Sequence, residues 1–183
     1  MQKEKITVNL KGGLGNQLFQ ILAGVNYANK HNKEFFIDYS NQFHASQGNH
    51  PNEYKSNLFE KIPEGKIDST FKLYNEKRYE YDEIPFIEGN VLLEGYFQSK
   101  EYFNKEDLKI ISFDSLQKKS EIIDNFIDDN TVGIHVRGGD YKIYPKHNVI
   151  KEQYYNKCIS KFMDSNFYVV TDVIMQVAYY LMK

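Results

Sequence analysis

Residues Lys5–Asp38 read KITVNLKGGLGNQLFQILAGVNYANKHNKEFFID, and this stretch decides the fold class. Its first six residues, Lys5–Leu10, are apolar and β-branched and predict a strand. Gly12, Gly13 and Gly15 then make a turn. From Asn16 to His31 the apolar residues Leu18, Ile21, Leu22, Val25 and Ala28 fall on one helical face, with Asn16 as the expected N-cap. Glu34–Asp38 (EFFID) predicts a second strand. Strand, glycine turn, helix and strand make a βαβ unit, so the chain is expected to be α/β with a parallel sheet. Glycines at such a turn allow positive φ and close backbone approach, and a helix start can receive an anion. The turn is not a P-loop, because no Gly-Lys-Ser/Thr follows. It matches the dinucleotide pattern only in part: Gly13-x-Gly15 and Asp38 are present, but Leu18 stands where the third glycine belongs. A tight turn without any ligand accounts for the glycines equally well.

Working outward, residues 39–51 are polar and turn-rich and predict a loop, and residues 51–59 a short helix ended by Ile62-Pro63-Glu64-Gly65. Residues 66–81 carry mixed, strand-like signal. Val91–Tyr96 (VLLEGY) predicts a third good strand, with a turn or helix over Phe97–Phe103. Ser115–Phe126 reads as an amphipathic helix, Thr131–Val136 (TVGIHV) as a strand and residues 142–149 as a loop. Lys151–Met163 reads as a helix with Tyr154, Tyr155, Cys158, Ile159 and Phe162 on one face. Phe167–Thr171 predicts a strand, and Val173–Met182 a closing helix. With 41% of its residues hydrophobic and 15% aromatic, all Tyr or Phe, the 183-residue chain can build a packed core. A net charge of −2 argues against a nucleic-acid-coating protein. Cys158 is the sole cysteine, so no internal disulfide forms, and its simplest reading is a small buried apolar residue. No signal peptide is evident at the N-terminus and no apolar run is long enough to span a bilayer. A cytoplasmic protein, free or membrane-associated, is expected.

The second informative stretch is His135-Val136-Arg137-Gly138-Gly139-Asp140-Tyr141. Strand alternation sends His135 and Arg137 to the same side. Arg137 is one of two arginines beside 21 lysines (23 basic residues in all), and its planar fork suits phosphate better than a point charge does. An ion pair with Asp140 would equally explain it. Asp172, just past a strand, reads by itself as a helix cap. His44 and His50 read as loop surface residues. No histidine spacing suits a metal, so no metal site is expected.

Taken in order, three segments resemble the α-1,2-fucosyltransferase family. Gly12–Gln20 (GGLGNQLFQ) is similar to its N-terminal motif, Leu93–Phe103 (LEGYFQSKEYF) to its central L-x-GYFQS-x-x-YF stretch, and His135–Tyr141 to its HxRRGDY motif; Thr171-Asp172 resembles the start of a later Ser-Asp-Asp element. The resemblance implies a GT-B-like fold, with a Rossmann-like acceptor-side lobe over residues 1–130 and an incomplete second, nucleotide-sugar lobe over 131–183, the chain stopping short of the family's usual length. It implies an inverting, metal-independent transfer of fucose from GDP-fucose to a galactose-terminated glycan, with no cofactor beyond the donor substrate. Arg137 would stabilise the leaving diphosphate, with His135 and Asp140 orienting the pocket. Gly12, Gly13, Gly15, Asn16 and Asp172 would join Arg137 in binding the donor. Two departures stand out: the second motif arginine is Gly138 here, and the second Asp of the later element is Val173. Two other classes compete. An inactive remnant would act as a glycan- or partner-binding module, with self-association through an incomplete second lobe. A dinucleotide-binding oxidoreductase would use Gly13, Gly15 and Asp38.

Overall fold

The computed structural model describes residues 3–40, 49–113, 127–137 and 150–171. The expected helices over 115–126 and 173–182, the loop over 142–149, and His44, Gly138, Asp140, Asp172 and Val173 lie outside the described residues. The chain divides into two compact units, Met1–Gln117 and Lys118–Lys183, where the sequence reading set the division at 130/131.

The first unit is α/β. Strand β1 (Lys5–Val8) runs through the glycine turn into helix α1 (Leu14–Lys30) and returns as β2 (Glu34–Phe35). Later come β3 (Lys72–Asn75) and β4 (Val91–Glu94). All four strands are parallel, in the order β2-β1-β4-β3, an arrangement compatible with a Rossmann-like half. β1 and β4 lie side by side at the centre although more than 80 residues separate them, with Ile6 opposite Val91 and Val8 opposite Leu93. Their inward residues explain why. Ile6, Val91 and Leu93 are completely buried, each worth about 1.5–3 kcal/mol against an exposed side chain. Helix α1 lies close on the sheet at Gly24, where a Cβ would stand 2.5 Å from the Phe35 ring and 2.9 Å from Val8. A short 3-10 turn, Asp107–Ile110, is pinned to α1 by the buried Asp107. That carboxylate accepts from Asn26 Nδ2 (2.8 Å), Asn29 Nδ2 (2.9 Å) and the Asn104 amide (2.9 Å).

The helix start differs from expectation. Asn16 is not the N-cap; Gly13 is, with φ −67° and ψ 170°, and Asn16 lies inside the first turn. The helix begins three residues earlier because Leu14, Gly15 and Asn16 already hold helical geometry and Gln17 N donates to Gly13 O (3.1 Å). The Asn16 side chain is thereby released from capping.

The second unit contains β5 (Thr131–Val136), helix α2 (Glu152–Ile159) and β6 (Asn166–Thr171). β5 and β6 pair in parallel and in step, from Thr131 opposite Asn166 to Val136 opposite Thr171. Along α2 the expected apolar face is incomplete. Tyr155, Cys158 and Ile159 are half-buried, so Cys158 is not the fully buried residue expected, and Tyr154 is exposed. Phe162 is exposed too, because the helix ends at Ile159 and the helical period stops with it.

Candidate functional site

Two buried glutamines build the turn after β1. Gln17 and Gln20 are completely buried on the inner side of α1. Gln20 clamps Lys11 at two points: Lys11 N donates to Gln20 Oε1 (2.9 Å) and Gln20 Nε2 donates back to Lys11 O (3.0 Å). Gln17 Nε2 donates to Gly12 O (3.0 Å) and to Asn49 O (2.9 Å). The amides replace ladder hydrogen bonds that the chain forgoes on leaving the sheet. Gly12 has φ +76°, and a Cβ there would clash with the Asn16 side-chain amide. Gly12 is therefore required by the fold. Gly13 and Gly15 are different: a Cβ at either would meet nothing within 4 Å. The fold itself does not need them to be glycine.

The expected central stretch meets this turn. After β4, Phe97 adopts φ +51°, a costly conformation for an aromatic residue. It persists because the surroundings over-determine it. Glu76, just past β3, accepts from Tyr96 N (2.7 Å) and Phe97 N (3.0 Å), and the Phe97 ring is completely buried, edge-on to Tyr102 at 5.3 Å. Gly95 leaves the room for this, since a Cβ would stand 2.7 Å from Glu76 Oε2. The bend aims Gln98 at α1, where its Nε2 donates to Asn16 Oδ1 at 2.6 Å. Residues 82 apart in sequence thus join the first and central motifs.

Beside that pair, Glu94 at the end of β4 accepts from Asn9 Nδ2 (2.5 Å) and pairs with Lys11 Nζ (2.5 Å). Lys11 Nζ also stands 5.0 Å from the centre of the Tyr96 ring. These groups open into a cleft of about 450 Å³ at the carboxyl ends of β1, β3 and β4, lined also by Arg78 and Tyr79. Open parallel sheets bind ligands at this edge.

In the second unit, the alternation expected of β5 is present: Val132, Ile134 and Val136 are half-buried, while Gly133, His135 and Arg137 are exposed. Arg137 follows β5 directly, at the level where β6 ends with Thr171. The predicted site residues therefore form two groups. Gly12, Gly13, Gly15 and Asn16 gather at one turn of the first unit, and His135 and Arg137 share one side of a strand end in the second.

Asp38 has another occupation. Its Oδ1 accepts from Ser40 N (2.9 Å) and Ser40 Oγ (2.6 Å), its Oδ2 from Ile67 N (2.9 Å), and Lys66 Nζ lies 3.6 Å away. Burial pushes the Asp38 carboxyl up, but these hydrogen bonds and the Lys66 charge hold it net below the ordinary carboxylate range. Both oxygens are engaged in tying β2 to the following chain, which speaks against a ribose-binding role.

Sequence reasoning quoted Gln17, Gln20 and Glu94 only within motifs and gave neither them nor Lys11 and Glu76 a role of their own. One signal was there to be read: polar Gln17 and Gln20 fall among the apolar positions of the helix. Glu76 carried none, because its partners are backbone amides about 20 residues away. Among the described residues no three His, Cys, Asp or Glu side chains gather as metal ligands, and no helix is long and apolar enough to cross a membrane. Comparison with protein-family models, curated proteins and solved structures finds no match.

Proposed function

We propose that the chain is a galactoside α-1,2-fucosyltransferase of GT-B type, moving fucose from GDP-fucose to a β-galactoside with inversion and without a metal. One observation carries the reading. Asn16 of the glycine-turn motif and Gln98 of the GYFQS motif are hydrogen-bonded at the carboxyl edge of adjacent parallel strands. Two segments singled out by the family resemblance thus form one structure, at the edge where ligands of such sheets bind. Gly13 and Gly15 add to it. Their Cβ positions face open space, so glycine there keeps surface clear for a molecule that comes close.

The chemistry follows from residue type. As the glycosyl–oxygen bond breaks, negative charge grows on the departing diphosphate. The exposed Arg137 guanidinium would meet that charge with a planar fork, the form of transition-state electrostatics that needs no metal. His135, exposed on the same side of β5, would orient the sugar or phosphate, with Asp140 assisting. Asp172 would join the donor contacts from beyond β6. The dinucleotide-oxidoreductase alternative loses its acidic residue, since Asp38 is engaged at both oxygens.

The test is direct. Purified protein is incubated with GDP-fucose and galactose-terminated oligosaccharides, and the products are weighed by mass spectrometry. A gain of one deoxyhexose that Arg137→Ala abolishes is expected. No gain, together with no GDP binding at millimolar ligand, refutes the proposal.

A further inference from the structure

We propose that the cleft at the carboxyl ends of β1, β3 and β4 is a saccharide-binding site, holding a neutral sugar against Tyr79, Tyr96 and the Lys11–Glu94 pair. It rests on the transferase reading in one respect, that the sugar is the acceptor. The volume, about 450 Å³, lies within the range of small-molecule sites and suits one or two pyranose rings.

The charges decide the class of ligand. Lys11 Nζ and Glu94 Oε1 are 2.5 Å apart, both side chains are 26% exposed, and Asn9 Nδ2 holds the other Glu94 oxygen. A fixed ammonium beside a fixed carboxylate presents a donor next to an acceptor. A hydroxyl both donates and accepts, so neighbouring hydroxyls of a sugar ring can satisfy the two together. A phosphate would be repelled by Glu94 and a cation by Lys11, and partial burial screens neither repulsion as bulk water does. A second acidic residue of the lining, Glu76, accepts from two backbone amides beside the cleft. Lys77 and Arg78 also line the cleft, with Arg78 3.7 Å from Asp82 Oδ2, so groups of both signs face it and suit a neutral ligand rich in hydroxyls. Tyr96, half-buried, and Tyr79, 82% exposed, add aromatic carbon surface for the C–H side of a pyranose. None of these side chains belongs to the donor-binding set, and all come from the first unit.

Lactose alone, without nucleotide, is titrated into the full chain and followed by saturation-transfer NMR, while GDP is titrated separately by calorimetry. The wild-type chain is expected to bind lactose. Tyr79→Ala, at a position too exposed to disturb folding, should weaken lactose severalfold, and Glu94→Gln about tenfold or more, with GDP affinity unchanged within about twofold in both. Absence of lactose binding to the wild-type chain, or lactose binding unaltered by both substitutions, overturns the saccharide site. Lactose binding that persists where GDP fails to bind keeps the site and removes the transferase reading, so the two failures are distinct.

Discussion

Gly15→Ala separates what the fold needs from what a ligand needs. Gly15 is exposed and is the second residue of α1, without a positive φ, and the added methyl meets nothing within 4 Å. Alanine also restricts the unfolded chain more than glycine does. Both effects favour the variant, by about 0.5 kcal/mol, the low end of the usual helix range because the site lies in the first turn. For a unit of this size that is a rise of about 2–4 °C in Tm. The same methyl would stand on the surface that the donor is proposed to approach, and crowding a close contact costs about 1–3 kcal/mol, or roughly five- to 150-fold in affinity. Scanning calorimetry and GDP-fucose titration read the two effects independently. Gly12→Ala is the control. At φ +76°, with the Asn16 amide in the way, it should lose about 1–2 kcal/mol of stability or more. A Gly15→Ala protein that is stabilised yet binds GDP-fucose as well as the wild type refutes the argument that the glycine keeps a ligand path clear. A destabilised one refutes the geometry on which it rests.

Three further outcomes are expected. Asp107→Ala removes the buried acceptor that Asn26 and Asn29 of α1 share and should cost about 1–3 kcal/mol by urea unfolding, whereas loss under about 0.5 kcal/mol would show that water replaces the carboxylate. Glu76→Gln turns an amide toward one of two backbone donors; transfer activity should fall at least about tenfold with a smaller change in Tm, because the Phe97 bend no longer aims Gln98 at Asn16, and unaltered activity would remove that link from the mechanism. His31 is held below its ordinary value of 6.5, first by burial and then by Lys30 and Lys33. The unfolded chain therefore takes up more protons just below pH 6.5, so this contribution is whole above 6.5 and fades as pH falls through the folded value. His31→Phe should flatten the stability profile in that window, and an unchanged slope would assign it elsewhere.

Much of the frame was legible in the residues themselves. β1, α1 and β4 follow local patterns, apolar alternation or a 3.6-residue period, that need no knowledge of the rest of the chain. Thr131–Val136 came out as a strand of those same bounds. The alternation of β5 likewise puts His135 and Arg137 on one side by sequence pattern alone. Local pattern failed at the start of α1. Asn16 has the right chemistry for a cap, yet a distant amide, Gln98, claims its side chain, and Gly13 serves as cap without a side chain. The cleft was invisible in the same way. Nothing in the local sequence around Lys11 or Glu94 pairs the two, and only the pairing of β1 with β4 puts them 2.5 Å apart.

The residues alone determined the βαβ start, the glycine turn and the strand that carries Arg137, because backbone preference and side-chain period act over a few neighbouring positions. Tertiary structure decided which strand lies beside β1, which glycine is structural and which stands in open space, and how Asn16 finds Gln98. Those choices depend on burial and on hydrogen bonds between segments about 80 residues apart, where the energy comes from contacts that no local window of sequence contains.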